Sequence, residues 1–169
     1  DKIDWDGTKY VELQLTGEPL LHPRIEDIID RLKEKGLMVG MSTNALLIAK
    51  KLSAVLKLDI LTVNDDEYRK WTLGKLFEGL DRPKVFVQTI GRDYPIIDYS
   101  TSRVSAEKYP VCGTPGRSVS IQWNGDVVPC CRAHDGKVVL GNVGIDSLTN
   151  IWRGGRYVAF RRQLTDKRC

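Results

Sequence analysis

Two adjacent thiols stand at Cys130 and Cys131 inside VPCCRAHD (128–135), and the other two cysteines of the chain are Cys112 and Cys169. Thiolates bind zinc and build iron–sulfur clusters. A disulfide between neighbours would strain the peptide that joins them. The remaining choices are small apolar packing groups, pairing with the other cysteines, or a metal. His134 adds an imidazole close by, either as a ligand or as a solvated loop residue. A second set of reactive groups lies earlier in the chain. Glu18 of TGEP (16–19) has the chemistry of a base, but its place before Pro19 in a turn favours ligand binding. Ser42, Thr43 and Asn44 offer short polar side chains, as do NDD (64–66) and GRD (91–93). Such residues approach a polar ligand by backbone and side chain; they also make ordinary turns.

Each of these polar stretches follows an apolar run. YVELQL (10–15) alternates, which predicts a strand. Ile25, Ile28, Ile29 and Leu32 form one helical stripe, with Pro23 before it and Gly36 after it. The cycle repeats: LMVGM (37–41) as strand, 45–56 as helix, LDILTV (58–63) as strand, roughly 65–80 as a less regular helix, and KVFVQTI (84–90) as strand. Alternating elements of this length imply parallel strands with right-handed crossovers. Four strands are too few for an eight-stranded barrel. The expectation is an α/β fold over residues 1–95, either an open parallel sheet or a partial (βα) barrel-like parallel array whose remainder is missing; in either case the ligand site lies at the carboxyl ends of the strands. The four polar stretches are those ends.

Residues 96–169 lose this rhythm and are expected to form a small β-hairpin plus helix cysteine module. Asn124-Gly125 between apolar-rich runs predicts a type I′ hairpin over 118–130. That hairpin brings Cys112, before it, and Cys130, at its end, to one end of a ribbon. Residues 137–143 add a third strand or a loop. Ser147 opens a helix with Leu148, Ile151 and Trp152 inward; Gly154 and Gly155 interrupt it, and Tyr157, Phe160 and Leu164 resume the apolar face beside Arg161 and Arg162. Cys169 follows, completing a four-thiolate set for zinc or an iron–sulfur cluster. If the strand continues, Cys130 and Cys131 point to opposite sides. The four tryptophans, Trp5, Trp71, Trp123 and Trp152, are expected to pack in cores.

The chain has 169 residues, 41 % hydrophobic and 28 % charged, with net charge +4, a globular balance. No apolar run approaches the length of a membrane span. Four cysteines without a secretory signal favour a reducing, cytoplasmic setting. The basic stretch 153–168 offers a surface to nucleic acid, but such runs are more often solvated helix faces. The first residue is Asp1 and the last Cys169, which reads as a piece of something longer.

GEPLLHP after one strand, STN after the next, and the C-x12-G-x4-C of Cys112, Gly125 and Cys130 resemble radical S-adenosylmethionine enzymes with a SPASM-type extension. LGNVGIDSLTNIW (140–152), an Arg-rich helix and a final cysteine are similar to that extension, so the resemblance covers nearly the whole chain. It implies that Gly17, Glu18 and Pro19 match a GGEP-like loop that contacts the cosubstrate's methionine amino group, with Thr16 in place of the first glycine. It implies that Ser42, Thr43 and Asn44 lie near the methionine and ribose. It further implies that Cys112 and Cys130 are ligands of an auxiliary [4Fe–4S] cluster, that Cys169 opens a C-x-x-C, and that Cys131 belongs to a "PCC" variant. The implied partners are a peptide, protein or other bulky substrate and an external electron donor, with no membrane. The family's C-x3-C-x2-C, which binds the catalytic cluster, is not in this sequence. This chain by itself is therefore expected not to cleave S-adenosylmethionine. Two other functions compete. One is a non-catalytic module that binds zinc or a cluster and recognises a partner peptide. The other is a plain βα enzyme for a phosphate or nucleotide, ranked last because no glycine-rich phosphate loop is present.

Overall fold

The computed structural model describes residues 3, 5, 7–65, 76–79, 81–89 and 114–166. They fall into two compact units, one within Gly7–Ile96 and one carrying 114–166.

The first unit is a four-stranded parallel sheet in the order β1-β2-β3-β4. Its strands are β1 (Tyr10–Leu13), β2 (Met38–Thr43), β3 (Ile60–Asp65) and β4 (Lys84–Thr89). Their registers pair Val11 with Val39, Met41 with Leu61 and Leu61 with Val85. One face carries Val39, Met41, Thr43, Leu61 and Val63, all buried. Helix α1 (Ile25–Glu34) packs on β2 from this side and buries Ile25, Ile29 and Leu32. Each fully buried aliphatic side chain contributes about 1.5–3 kcal/mol, so this stripe is the chief reason the helix docks. The helix closes as a Schellman turn: Leu37 N–H donates to Leu32 C=O at 3.3 Å and Gly36 N–H to Lys33 C=O at 2.9 Å.

The helix expected over 45–56 is shorter. It is a 3-10 turn at Ala49–Lys51 followed by α2 (Leu52–Leu56). Residues 44–46 divert the backbone first. Asn44 Oδ1 accepts from Leu46 N–H at 3.0 Å, and Ala45 has φ +67°. Such local side-chain bonds compete with helix formation. The irregular helix of 65–80 falls mostly outside the described residues, as do Trp71, Asp66 and the GRD stretch.

At the amino ends of β2 and β3 the buried carboxylate of Asp59 gathers two part-exposed cations, a cluster that the sequence pattern does not announce. Asp59 accepts from Lys33 Nζ at 2.8 and 2.7 Å, from Val39 N–H at 2.8 Å and from Arg82 Nη1 at 2.5 Å. Burial opposes the charge of Asp59, but Lys33, the Val39 amide and Arg82 outweigh it and hold the carboxyl below its usual range.

The second unit is a three-stranded antiparallel sheet, β5 (Ser120–Ile121), β6 (Asp126–Val128) and β7 (Gly141–Asn142), with helices α3 (Leu148–Arg153) and α4 (Gly155–Asp166). Val127, Leu140, Ile151 and Tyr157 form its core. Gly141 lies against Ile151, where an added Cβ would come within 2.8 Å of that side chain. Ser147 caps α3 by accepting from Asn150 N–H at 3.1 Å. The hairpin forms where expected, but its turn is not type I′. Gln122 and Asp126 close a three-residue loop, and only Gly125 has a positive φ, +88°. A type I′ turn needs two such residues; a type I turn with a left-handed glycine needs one. Trp123 at the tip is 98 % exposed, against the expectation of a core tryptophan.

Candidate functional site

At the carboxyl end of the parallel sheet, the loops after β1 and β2 are joined through one carboxylate. Glu18 Oε1 accepts from Leu20 N–H at 3.0 Å and from Thr43 Oγ1 at 2.8 Å. Its Oε2 accepts from Asn44 N–H at 2.8 Å. Glu18 thereby caps the 3-10 turn Pro19–Leu21 and clasps the two strand ends together. A carboxylate offers about four lone-pair sites; three are taken by these bonds, which leaves room on Oε2 for one outside donor. Gly17 beside it is exposed with φ +103°. Of the residues singled out in sequence, Gly17, Glu18, Pro19, Thr43 and Asn44 are brought together here.

Ser42 serves the other face, because neighbours along a strand point to opposite sides. Its hydroxyl donates to Glu12 Oε1 at 2.9 Å. Glu12 is half-buried. Burial pushes its carboxyl above the usual range, and the Ser42 bond offsets this only in part. Glu12 and Tyr10 fold over Gly40, where a Cβ would meet the Tyr10 hydroxyl at 1.9 Å and Glu12 Oε2 at 2.4 Å. Only a glycine at that point lets the two polar groups lie flat on the sheet. Glu12 passed in sequence as the polar half of a strand alternation. The signal that would have found it is its sharing a face with Ser42 across the expected β1–β2 pair.

In the second unit, Cys130 is extended (φ −166°, ψ 174°) and half-buried, while Cys131 begins a 3-10 turn, Cys131–Ala133, and is exposed. Both are free thiols. Continuing the β5–β6 register, in which Ser120 faces Val128, sets Ser118 opposite Cys130. The Tyr157 hydroxyl donates to that Ser118 carbonyl at 3.3 Å. Burial pushes the Tyr157 phenol up to about 12, with Arg161 lowering it and the Cys130 thiol raising it. Tyr157 thus stands between Arg161, stacked on its ring at 4.5 Å, and the strand opposite Cys130. His134 sits exposed beyond the turn, with its carbonyl held by Gln122 Nε2 at 2.9 Å. Among the described residues no three His, Cys, Asp or Glu side chains converge on a metal position. Cys112 and Cys169 lie outside the described residues.

A half-buried free thiol at Cys130, with the Tyr157 ring between it and the Arg161 guanidinium, suits an anionic iron–sulfur cluster. Polar strand ends with an acceptor left on Glu18 suit an ammonium-bearing cosubstrate. Among the described residues no helix is long and apolar enough to cross a membrane.

Residues 112–169 match SPASM, an iron–sulfur cluster-binding domain. The S-adenosyl-L-methionine-dependent 2-deoxy-scyllo-inosamine dehydrogenase of Niallia circulans is 29 % identical over 55 residues, which are 32 % of this chain and 22 % of that protein. The tungsten-containing aldehyde ferredoxin oxidoreductase cofactor-modifying protein of Pyrococcus furiosus is 30 % identical over 96 residues, 50 % of this chain and 27 % of that protein. Both alignments thus span about a quarter of the relative's length. In fold, the chain is similar to BtrN in complex with AdoMet and 2-DOIA, with TM-score 0.70, 21 % identity, and coverage of 92 % of this chain and 66 % of that one. BtrN in an open conformation gives TM-score 0.66 at 22 % identity, covering 92 % and 64 %.

Proposed function

We propose that this chain, a radical S-adenosylmethionine protein with a SPASM-type domain, is the substrate-modifying body of an oxidoreductase or maturase that works by hydrogen abstraction. When bound, the cosubstrate supplies a 5′-deoxyadenosyl radical and the auxiliary cluster a place for electrons. The chain's own residues hold and orient. Backbone at Thr16 and Gly17, together with the open site on Glu18 Oε2, receives the methionine ammonium. Thr43 and the Asn44 amide fix that carboxylate from below at 2.8 Å each. Ser42 keeps Glu12 flat on the opposite face at 2.9 Å, where a substrate would meet it. Cys130, with Cys112, would hold the auxiliary cluster at the end of the hairpin.

The observation that carries this reading is the Glu18 clasp, which joins the two strand-end loops expected to bind the cosubstrate. A peptide, protein or other bulky molecule is the proposed substrate. The Niallia circulans relative, named as a dehydrogenase of 2-deoxy-scyllo-inosamine, favours a second reading in which a small amine-bearing alcohol is oxidised. The test is anaerobic turnover of the protein expressed from its complete gene, with S-adenosylmethionine and dithionite. Release of 5′-deoxyadenosine is expected. A protein loaded with iron and sulfide that releases none contradicts the proposal.

A further inference from the structure

Arg161 is built into the second unit in an unusual way. Its guanidinium lies 4.5 Å from the ring centre of Trp152 and 4.5 Å from that of Tyr157. The two rings are themselves 4.9 Å apart and tilted by 52°. Nη2 donates to the Trp152 carbonyl at 2.6 Å. Nη1 is buried and has no hydrogen-bond partner. Among the described residues no carboxylate pairs with this cation. A buried, unpaired donor on a charged group is costly, and native structures rarely leave one without a reason.

Backbone geometry shows what lies near it. Tyr157, on which Arg161 stacks, reaches the Ser118 carbonyl at 3.3 Å. Ser118 faces Cys130 by extension of the β5–β6 register. The guanidinium thus stacks on the ring whose hydroxyl reaches the strand opposite Cys130, and Cys130 lies close enough to that ring to act on its phenol. An iron–sulfur cluster with thiolate ligands carries net negative charge, and its sulfurs accept hydrogen bonds that tune its potential.

We propose that Arg161 is the fixed cation of the auxiliary cluster, donating from Nη1 to a cluster or cysteine sulfur and holding its reduction potential up. Trp152 and Tyr157 keep the guanidinium flat and dry, so its charge acts at short range. This role is one of positioning and electrostatics, and it rests on the reading that Cys130 is a cluster ligand.

The test is a potentiometric titration, monitored by electron paramagnetic resonance, of the auxiliary cluster in the anaerobically reconstituted protein. Wild type is compared with Arg161→Gln, Arg161→Leu and Arg161→Lys, with iron and sulfide measured in each. Gln and Leu are expected to weaken the one-electron reduction equilibrium at least tenfold, about 59 mV toward more negative potential. Lys, which keeps the charge without the planar fork, should lose less. If Leu does not fold or load, Gln and Lys carry the comparison. Wild-type potential in a loaded Gln variant overturns the proposal, and so does loss of loading in every variant including Lys, which marks Arg161 as a folding residue only. A wild-type protein that holds no auxiliary cluster sinks the underlying reading instead, and its iron and sulfide content distinguishes that case.

Discussion

Replacing Glu18 with glutamine tests the clasp between the two strand-end loops. In the native structure Oε1 serves Leu20 N–H at 3.0 Å and Thr43 Oγ1 at 2.8 Å, and Oε2 serves Asn44 N–H at 2.8 Å. Glutamine keeps one oxygen, enough for Leu20 and Thr43. Its amide nitrogen then faces the Asn44 N–H, donor against donor. A hydrogen bond to a charged group contributes about 1.5–3 kcal/mol. Asn44 is exposed, so water recovers part of the loss, and Glu18→Gln should cost about 1–2 kcal/mol. Glu18→Ala removes all three bonds, at roughly 1 kcal/mol or more each, and should cost about 2–4 kcal/mol. Urea unfolding reads both as a lower midpoint with an unchanged slope. Thr43→Val combined with Glu18→Gln should show coupling of at least about 0.5 kcal/mol, since the residues share a bond. Isothermal titration with S-adenosylmethionine should show affinity falling about tenfold in Glu18→Gln, equivalent to ~1.4 kcal/mol. If both Glu18 variants keep the wild-type midpoint and affinity, the clasp has no energetic meaning and the site argument fails.

Two further perturbations concern the sheet. Breaking a buried ion pair commonly costs about 3–5 kcal/mol, but the Lys33 and Arg82 side chains are 35 % and 69 % exposed. Those cations stay hydrated, so Asp59→Ala should cost about 1–3 kcal/mol, mostly from the stranded Val39 N–H. Because the Asp59 carboxyl is held below its usual range, its stabilisation is present above the unfolded carboxyl's pKa and is lost as pH falls through the folded value. Urea midpoints of wild type and Asp59→Asn should therefore converge in acid; a constant gap would contradict this. Glu12 has the opposite sign. Burial raises its carboxyl, so the folded state favours the protonated form, and stability is lost as pH rises through the raised value. Glu12→Gln should therefore gain stability relative to wild type as pH rises out of the acid range through the raised value, and no gain on that rise would refute the assignment.

Local patterns carried the strands, the α1 stripe and the Ser147 cap, because each depends on a few neighbouring residues. The turn at Gly125 was legible as a hairpin but not as a type. Choosing between two and three loop residues depends on how β5 and β6 pair, which the dipeptide Asn124-Gly125 does not encode. The shortened α2 was hidden because bonds at Asn44 and Ala45 compete with an otherwise helical run. Glu18, Thr43 and Asn44 were legible as strand-end residues, yet not as one hydrogen-bonded unit, since the partners are 25 and 26 residues apart. Ser42 was grouped with them in sequence, but strand alternation places it on the other face, with Glu12. Asp59 and Arg161 were missed for one reason. Their partners meet only after the sheet and the hairpin have formed, and a lone Asp or Arg carries no local signature.

The central claim is that the second unit holds an iron–sulfur cluster on Cys130. It is tested most directly by iron and acid-labile sulfide analysis, with Mössbauer spectroscopy, of anaerobically reconstituted wild type beside Cys130→Ser and Cys131→Ser. Cys130 is extended and half-buried at the hairpin end, and Cys131 is exposed in the following turn. The account predicts that Cys130→Ser loses about four irons, one cluster's worth, while Cys131→Ser keeps its full content. Equal iron and sulfide in wild type and Cys130→Ser, or a colourless wild type that takes up only zinc, would contradict it.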